Sequence, residues 1–244
     1  MTNVDEDRDR KDVLSDEEFN VLLAQARGNE DKVLANRNPA ILCVLRLTGK
    51  RREEVAALKF SDVWLEKNDI PGINDRGQIS TQFLNINFML LKKSHRKKLP
   101  DGTVLPASPP PERVRPIPLE DPLTKPIVDY MNFLKNRFDE TPKFFWVNVR
   151  PCFGHNIYQL DKGITGRTIY NVVRDTADGA RIVVWPHLFR ETAGAEEVKQ
   201  DPSLYGVFKV ANRIDVTERT AWNYMRRHAM NVIRRDYEKS GRVE

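Results

Sequence analysis

The sequence predicts an α+β fold that is mainly α-helical, with a small antiparallel β-sheet packed on the helices. Most of the chain places apolar residues at helical spacing between start and stop signals. One stretch, residues 83–90, instead alternates apolar and polar side chains, as a half-buried strand does. The chain has 244 residues, of which 40% are hydrophobic and 31% charged. It can therefore bury a substantial core as one large domain or two small ones.

Order is expected to begin at residue 15. Residues 1–14 form a charged tail with too little apolar content to fold, and a single domain is predicted over residues 15–244. Ser15 and Glu18 fit a capping box, in which each side chain accepts a hydrogen bond from the other residue's backbone N–H. A first helix should therefore run to about Ala26 and close at Gly28.

A second helix is predicted to open at Asn38-Pro39 and to end near Gly49, because proline favours the first turn of a helix and glycine its end. The chain then enters a third helix over about Glu53–Leu58. Arg51 would lie at or just before the first turn of that helix, where unpaired backbone N–H groups favour an anion.

Residues 63–118 are predicted as β structure with long connections. The apolar face of the central strand would hold Leu84, Ile86, Phe88 and Leu90, and the other face Asn85, Asn87 and, by continuation, Lys93. Arg113–Leu119 is predicted to return as an edge strand, because its prolines cannot donate to a sheet on both sides. A basic block, Lys92–Lys98, lies on the connection between the two strands.

The rest of the chain is predicted as helices and turns. The expected helices are about Pro122–Phe138, about Arg167–Asp178, one containing His187–Glu197, one around Pro202–Asn212, and one that begins near Thr217 and carries Tyr224. No run of about 18 apolar residues is present to span a membrane, and the N-terminus is too polar for a secretory signal. The predicted location is the cytoplasm, either in association with the nucleoid or in a host cell.

The charge of the chain indicates the kind of partner that it binds, and its cysteine content indicates the compartment. The formal net charge of +5 and the pI of about 9.2 favour a polyanionic partner, and two basic blocks, Lys92–Lys98 and Arg226–Arg235, flank the candidate chemistry. The two cysteines, Cys43 and Cys152, fit a reducing compartment. No Cys or His cluster completes a tetrahedral metal shell around Cys152 and His155, so no metal site is predicted.

Two motifs and a tyrosine carry the candidate chemistry. Residues 48–54 read TGKRREE, residues 186–192 read PHLFRET, and Tyr224 follows the second motif. Arginine presents a permanently charged fork of donors that matches phosphate oxygens. A tyrosine hydroxyl can attack phosphorus once it loses its proton. The combination predicts cleavage of a phosphodiester without a metal.

The motifs resemble those of the catalytic domain of the tyrosine recombinase (phage integrase) family, over roughly residues 14 to 240. The family's Thr-Gly-x-Arg-x-x-Glu box is matched by Thr48, Gly49, Arg51 and Glu54, and its Pro-His-x-x-Arg box, followed by Thr and small residues, by Pro186, His187, Arg190, Thr192, Ala193 and Ala195. The family's nucleophilic tyrosine comes roughly thirty residues later. Tyr224 lies 34 positions after Arg190 (224 − 190 = 34).

The resemblance implies a site-specific recombinase or integrase, as found on mobile genetic elements, that forms a 3′-phosphotyrosine intermediate without metal, ATP or another cofactor. Arg51 and Arg190 would stabilise the phosphate. Tyr224 would attack it, and His187 would accept or return a proton.

The resemblance also implies a lysine on a β-hairpin that protonates the leaving 5′ oxygen. Lys93 is preferred because the strand alternation places it on the face away from the core, while Lys97 and Lys98 remain alternatives.

Two positions depart from the family pattern. The family carries a His or Trp about nine or ten residues before the tyrosine, where this chain reads NRIDVT over residues 212–217. Arg213 is the candidate substitute, whereas Asp215 would repel a phosphate oxygen. Glu191 stands where a histidine often follows the second arginine.

The implied partners are double-stranded DNA and three further copies of the chain, because exchanging two duplexes takes four cuts. Arg226–Tyr237 would reach a neighbouring copy, and no separate N-terminal DNA-clamping domain is evident. Two alternatives stand beside the recombinase. Ile214–Tyr224 also resembles the turn and recognition helix of a helix-turn-helix, which predicts a DNA-binding protein that does not cleave. A type IB topoisomerase would use similar chemistry.

Overall fold

The computed structural model describes residues 13–70, 79–89, 112–201 and 203–226. Within these ranges the chain is mainly helical and carries a small antiparallel sheet, which confirms the predicted fold class. Several predictions fall on residues outside the described ranges. They concern the tail up to residue 12, Leu90, the basic block Lys92–Lys98, and the segment after residue 226, which holds most of the second basic block and Tyr237.

In the described residues, the series of helices is interrupted twice, first by a three-stranded sheet and then by a two-stranded hairpin. The helices are α1 (Asp16–Arg27), α2 (Lys32–Thr48), α3 (Arg52–Ala56), α4 (Lys125–Arg137), α5 (Gly166–Ala180), α6 (Pro186–Gln200), α7 (Leu204–Arg213) and α8 (218–226). The strands are β1 (Val63–Ile70), β2 (Ile79–Met89), β3 (Glu112–Pro118), β4 (Asn148–Cys152) and β5 (His155–Gln159).

The capping box at the start of α1 is confirmed. The backbone N–H of Ser15 donates to Glu18 Oε2 at 3.0 Å, and the backbone N–H of Glu18 donates to Ser15 Oγ at 3.2 Å. At the other end, the Gly28 N–H donates to the carbonyls of Ala24 and Gln25, one residue beyond the last helical position, Arg27. Local signals therefore set both ends of this helix.

The predicted start of α2 is wrong. The helix begins at Lys32, where Asp31 Oδ1 accepts hydrogen bonds from the N–H groups of Val33 (2.8 Å) and Leu34 (3.0 Å). Pro39 lies inside the helix instead of opening it. A proline in a helix interior loses one backbone hydrogen bond. The cap at Asp31 and the burial of residues on both sides of the proline offset that loss.

The three-stranded sheet has the order β1-β2-β3, and β3 is the edge strand that its prolines predict. Leu84, Ile86 and Phe88 are buried on β2, as the alternation indicates. Asn85 faces the other way but is also buried, and its Nδ2 donates to Glu66 Oε2 on β1 at 2.7 Å. A cross-strand hydrogen bond thus satisfies this buried amide.

Sequence reasoning missed the hairpin formed by β4 and β5. Its turn residues, Phe153 and Gly154, have positive φ angles of 39° and 85°. Tight hairpin turns of this kind are usually predicted from an Asn-Gly or Asp-Gly pair. Here phenylalanine occupies the first turn position and Pro151 lies within the strand, so the sequence pattern does not indicate a hairpin.

The chain divides into two compact units, each built from separate stretches of sequence. The first comprises the described residues up to Leu22, Val44–Arg51, and the described residues from Val173 onward. The second comprises Leu23–Cys43 and the described residues between Arg52 and Val172. The prediction of one catalytic domain over residues 15–244 stays a prediction.

An aromatic cluster fills the core of the second unit. Trp146 stacks on Tyr130 with ring centroids 5.7 Å apart, meets Phe145 edge-on at 4.7 Å, and donates from Nε1 to the Val55 carbonyl at 2.7 Å. Burial raises the pKa of the Tyr130 hydroxyl, which accepts a hydrogen bond from the Val147 N–H. Tyr130 is therefore part of the hydrophobic core and is not a candidate nucleophile.

The core of the first unit joins α6, α7 and α8. Its buried members are Ala193, Val198, Val207, Val210, Ile214, Ala221, Tyr224 and Met225. Among the described residues, no helix is long and apolar enough to cross a membrane.

Candidate active site

The two sequence motifs meet through Arg190 and Gly49, both in the first unit. Arg190 on α6 is buried, and its Nη1 donates to the Gly49 carbonyl at 2.8 Å across 141 residues of sequence. Gly49 ends α2 with φ at +58°. A Cβ at this position would lie 2.8 Å from Ile214 Cγ2 and 2.9 Å from Ala193 Cβ. Only glycine fits the conformation and the space.

Arg51 lies two residues after that carbonyl. It is partly exposed and directly precedes α3, which confirms its predicted place just before the helix. Because Gly49 is held by Arg190, the short segment leading to Arg51 starts from a fixed point.

The first turns of α6 present His187 and Glu191 on one side. Pro186 occupies the start of the helix, where its missing N–H costs nothing. His187 is exposed, and its Nε2 lies 3.0 Å from Glu191 Oε1. The two residues are four positions apart, which places them next to each other on a helix surface.

Tyr224 reaches the same carboxylate from α8. Its hydroxyl donates to Glu191 Oε1 at 3.1 Å. The ring lies against Gly194, where a Cβ would come within 3.0 Å of Tyr224 Cδ1 and 3.2 Å of Cε1. The phenol is 8% exposed, so packing as well as the hydrogen bond holds it.

Glu191 therefore contacts two of the predicted site residues, although in the sequence it stands out only as a departure from the family pattern. Its oxygen Oε1 contacts both His187 and Tyr224, and it follows Arg190 directly. The i, i+4 spacing from His187 was a usable signal for the first contact. No local signal pointed to the second.

A buried ion pair joins Lys50 to Asp215, and both side chains are almost fully excluded from solvent. Lys50 lies within the first motif, and Asp215 lies in the turn between α7 and α8, with φ at +47°. From sequence alone, Asp215 is expected to repel a phosphate oxygen. In the structure, the Lys50 ammonium neutralises this carboxylate.

Arg213 is held by two carboxylates of α6. Its Nη1 donates to Glu197 Oε1 at 2.9 Å and its Nη2 to Glu196 Oε2 at 3.1 Å. Glu196 also bonds Arg46 Nη2 through its other oxygen, at 2.6 Å. A phosphate contact by Arg213 stays a prediction, and it requires the guanidinium to share or leave these carboxylates.

Of the predicted site residues, the structure thus brings His187, Arg190 and Tyr224 to one end of α6. Lys93 and its alternatives Lys97 and Lys98 lie outside the described residues. In the described part of the chain, no group of three or more His, Cys, Asp or Glu side chains could hold a metal ion.

No protein-family model and no curated protein matches this chain. Solved structures do match. The site-specific recombinase XerH bound to its difH substrate, in a pre-cleavage complex, is 14% identical with a TM-score of 0.54, covering 87% of this chain and 49% of that one. XerH bound to a palindromic difH substrate, in a post-cleavage complex, is 13% identical with a TM-score of 0.58, covering 92% and 52%.

The chain therefore spans about half the length of these recombinases. At this level of identity the likeness concerns the fold. This chain shares the fold of the matching half of these recombinases, as the resemblance in sequence implies.

Proposed function

We propose that this chain is a site-specific DNA recombinase that cleaves and rejoins double-stranded DNA through a 3′-phosphotyrosine at Tyr224. The observation that carries the proposal is the convergence of the Tyr224 hydroxyl and His187 on one carboxylate, next in sequence to the buried Arg190. The likeness in fold to recombinase XerH bound to DNA, before and after cleavage, supports the same function.

The two arginines would bind the phosphate under attack. Negative charge gathers on the non-bridging oxygens of a phosphodiester as the tyrosine adds, and preorganised guanidinium groups stabilise it. The Gly49 carbonyl orients Arg190 in advance. Arg51 follows from the same short segment, so both guanidinium groups would act without a large rearrangement.

Tyr224 would attack phosphorus, and the 5′ oxygen would leave with a proton from a neighbouring acid. Lys93 is the proposed acid, with Lys97 and Lys98 as alternatives, and His187 would move protons at the tyrosine side. The phosphotyrosine keeps the energy of the phosphodiester for rejoining. This chemistry takes no ATP, and the positive side chains supply the charge stabilisation that a metal provides elsewhere.

The proposal extends to partners. Recombination of two duplexes needs four tyrosines, so four copies of the chain would assemble on DNA, with residues 226–237 reaching from one copy to the next. Arg213 would assist the phosphate from the turn before α8. The reaction would take place in the cytoplasm, where bacterial or viral DNA is accessible.

A second candidate is a DNA-binding protein that does not cleave. It is favoured by the order of α7, the turn at residues 214–217 and α8, which is the order of elements in a helix-turn-helix. Along α8, Arg219, Trp222 and Arg226 are exposed at helical spacing. Such a face suits the major groove. A role in DNA binding alone gives no reason for the burial of Arg190 or for the contact between Tyr224 and Glu191.

The test is trapping of a covalent adduct. A library of nicked duplexes with randomised sequence around the nick is incubated with the full chain, because a fragment that diffuses from the nick prevents rejoining. Adducts that survive denaturing detergent are isolated, and the modified peptide is identified by mass spectrometry. Recombinase activity predicts enrichment of one DNA sequence, with the modification on Tyr224.

Tyr224→Phe should abolish the adduct and retain DNA binding. Tyr205→Phe is the matched control, because Tyr205 is an exposed tyrosine on α7, and it should react like the wild type. A type IB topoisomerase would relax supercoiled DNA without sequence preference. A pure DNA-binding protein would give neither adduct nor relaxation, and an adduct that persists in Tyr224→Phe would exclude Tyr224 as the nucleophile.

A further inference from the structure

The carboxylate of Glu191 is placed to act on the attacking tyrosine. Its Oε1 is 3.1 Å from the Tyr224 hydroxyl, and this hydroxyl is the donor in the contact. A general base must lie within hydrogen-bonding distance of the proton that it removes, and this geometry meets that requirement before any DNA is bound. The Glu191 side chain is 15% exposed, so most of it is shielded from solvent.

We infer that Glu191 is the proton acceptor that activates Tyr224, and that His187 positions the accepting oxygen. The inference rests on the proposed function. It changes the division of labour within the site, because the proton would pass first to the carboxylate and not to the imidazole.

The proton and electron balance of the step is complete within the site and its DNA. The Tyr224 oxygen forms a bond to phosphorus, its proton moves to Glu191 Oε1, and the bond from phosphorus to the 5′ oxygen breaks. The 5′ oxygen takes a proton from the acid on the leaving side. In the rejoining step the 5′ hydroxyl returns its proton to the acid on the leaving side and forms a bond to phosphorus. The bond from phosphorus to the tyrosine oxygen breaks, and the protonated Glu191 returns its proton to that oxygen.

Charge also favours this transfer. A carboxylate beside a phosphate is repulsive, but Glu191 becomes neutral as negative charge builds up on the attacked phosphate. The number of negative charges in the site therefore stays constant while the charge moves onto the group that the arginines bind. Arg190, the neighbour of Glu191 in sequence, is one of these arginines.

His187 fits a positioning role. Its Nε2 lies 3.0 Å from the same Oε1, and its side chain is 61% exposed. From this position the imidazole would hold the carboxylate toward Tyr224. An aspartate at position 191 would be one methylene too short to satisfy both contacts, so Glu191→Asp should retain only part of the rate.

The experiment compares two DNA substrates that carry the sequence selected by the wild-type protein. One has the natural 5′ oxygen at the scissile phosphate, and the other has sulfur in its place. A thiolate leaves without protonation, because thiols are far more acidic than alcohols. The sulfur substrate thus removes the need for an acid on the leaving side and keeps the need for a base on the tyrosine.

Glu191→Gln should slow adduct formation by about a hundredfold or more on both substrates. If Lys93 is the acid, Lys93→Ala should form the adduct slowly on the oxygen substrate, and the sulfur substrate should restore its rate. Glu218→Gln, an exposed glutamate at the start of α8, is the matched control and should react at the wild-type rate. Melting temperatures of all variants establish that the folded protein is compared.

The outcomes separate the inference from the proposed function. Absence of any Tyr224 adduct with the wild type refutes both. Wild-type adducts together with an unchanged or faster Glu191→Gln reaction refute only the inference, and the faster result identifies the Glu191 contact as a restraint on the tyrosine. If the sulfur substrate restores the rate of Glu191→Gln, then Glu191 acts on the leaving side, and this result also refutes the inference. If Glu191→Gln fails to fold, partial activity of Glu191→Asp on both substrates supports it, and full activity on both refutes it.

Discussion

Arg190 donates a hydrogen bond to the carbonyl of Gly49, at 2.8 Å, and this bond joins the two sequence motifs of the chain, residues 48–54 and 186–192. The contact needs a backbone that turns sharply at the end of α2, with φ at +58°, and a residue without a side chain at the point of closest approach. The position of Arg190 therefore depends on a glycine that carries no chemistry of its own.

Gly49→Ala should lower the free energy of unfolding by about 2–4 kcal/mol, because it combines a left-handed backbone with overlap against Ile214 and Ala193. Urea denaturation measures the change. Gly154→Ala is the matched control, since Gly154 has φ at +85° and nothing within 4 Å of an added Cβ. That variant should lose only about 1–2 kcal/mol. Equal losses at the two positions would mean that packing at Gly49 contributes nothing.

Gly194→Ala should impair adduct formation while the protein stays folded. Alanine favours a helix over glycine by about 1 kcal/mol, but here the added methyl meets the Tyr224 ring at 3.0 Å. Displacing the phenol by a fraction of an ångström should cost about tenfold to a hundredfold in rate. In Gly28→Ala the methyl meets only backbone oxygens, at 3.4 Å and 3.8 Å, and this control should react normally. Normal adduct formation by Gly194→Ala would show that the ring adapts freely.

Asp215→Asn should destabilise the protein by about 3–5 kcal/mol, because it removes the carboxylate that neutralises the buried Lys50 ammonium. Asparagine tolerates the positive φ of this position, so the effect isolates charge. Adding Lys50→Met to this variant should recover most of the loss. Chemical denaturation of the two single variants and the double variant measures the coupling, and additive losses would contradict the ion pair.

Arg213→Ala should lower the free energy of unfolding by about 1–3 kcal/mol through loss of its bonds to Glu196 and Glu197. A double-mutant cycle with Glu197→Ala should give a coupling energy of about 1 kcal/mol. Adduct formation by the same variants tests the phosphate role predicted from sequence. A larger fall in Arg213→Ala than in Glu197→Ala supports that role, and equal falls would leave Arg213 with a structural role alone.

The cysteines should differ in reactivity. Burial raises the pKa of the Cys43 thiol to about 12, so almost none of it is thiolate at pH 8, and alkylation requires the thiolate. Cys152 is partly exposed. Iodoacetamide at pH 8 should therefore label only Cys152 in the native protein and both cysteines after denaturation, as followed by mass spectrometry. In Cys152→Ser the native protein should take up no label, and rapid labelling of Cys43 there would contradict its burial.

The local features of the fold were predictable from sequence because their causes lie within a few residues. The capping box at Ser15 and Glu18, the stop at Gly49 and the apolar alternation of β2 each depend on neighbouring side chains. The start of α2 was misjudged because burial along the helix outweighed the local effect of Pro39. The hairpin at Phe153 and Gly154 escaped because its turn lacks the usual residues.

The sequence by itself determined the order and spacing of Arg51, His187, Arg190 and Tyr224, and with them the class of chemistry to be expected. Only the tertiary structure decided which atoms meet. Glu191 accepts a hydrogen bond from the Tyr224 hydroxyl, and Asp215 forms a buried ion pair with Lys50. The physical reason is distance along the chain. Helix caps and strand alternation act between near neighbours, whereas these contacts join residues 33 positions apart or more and form only when the helices pack.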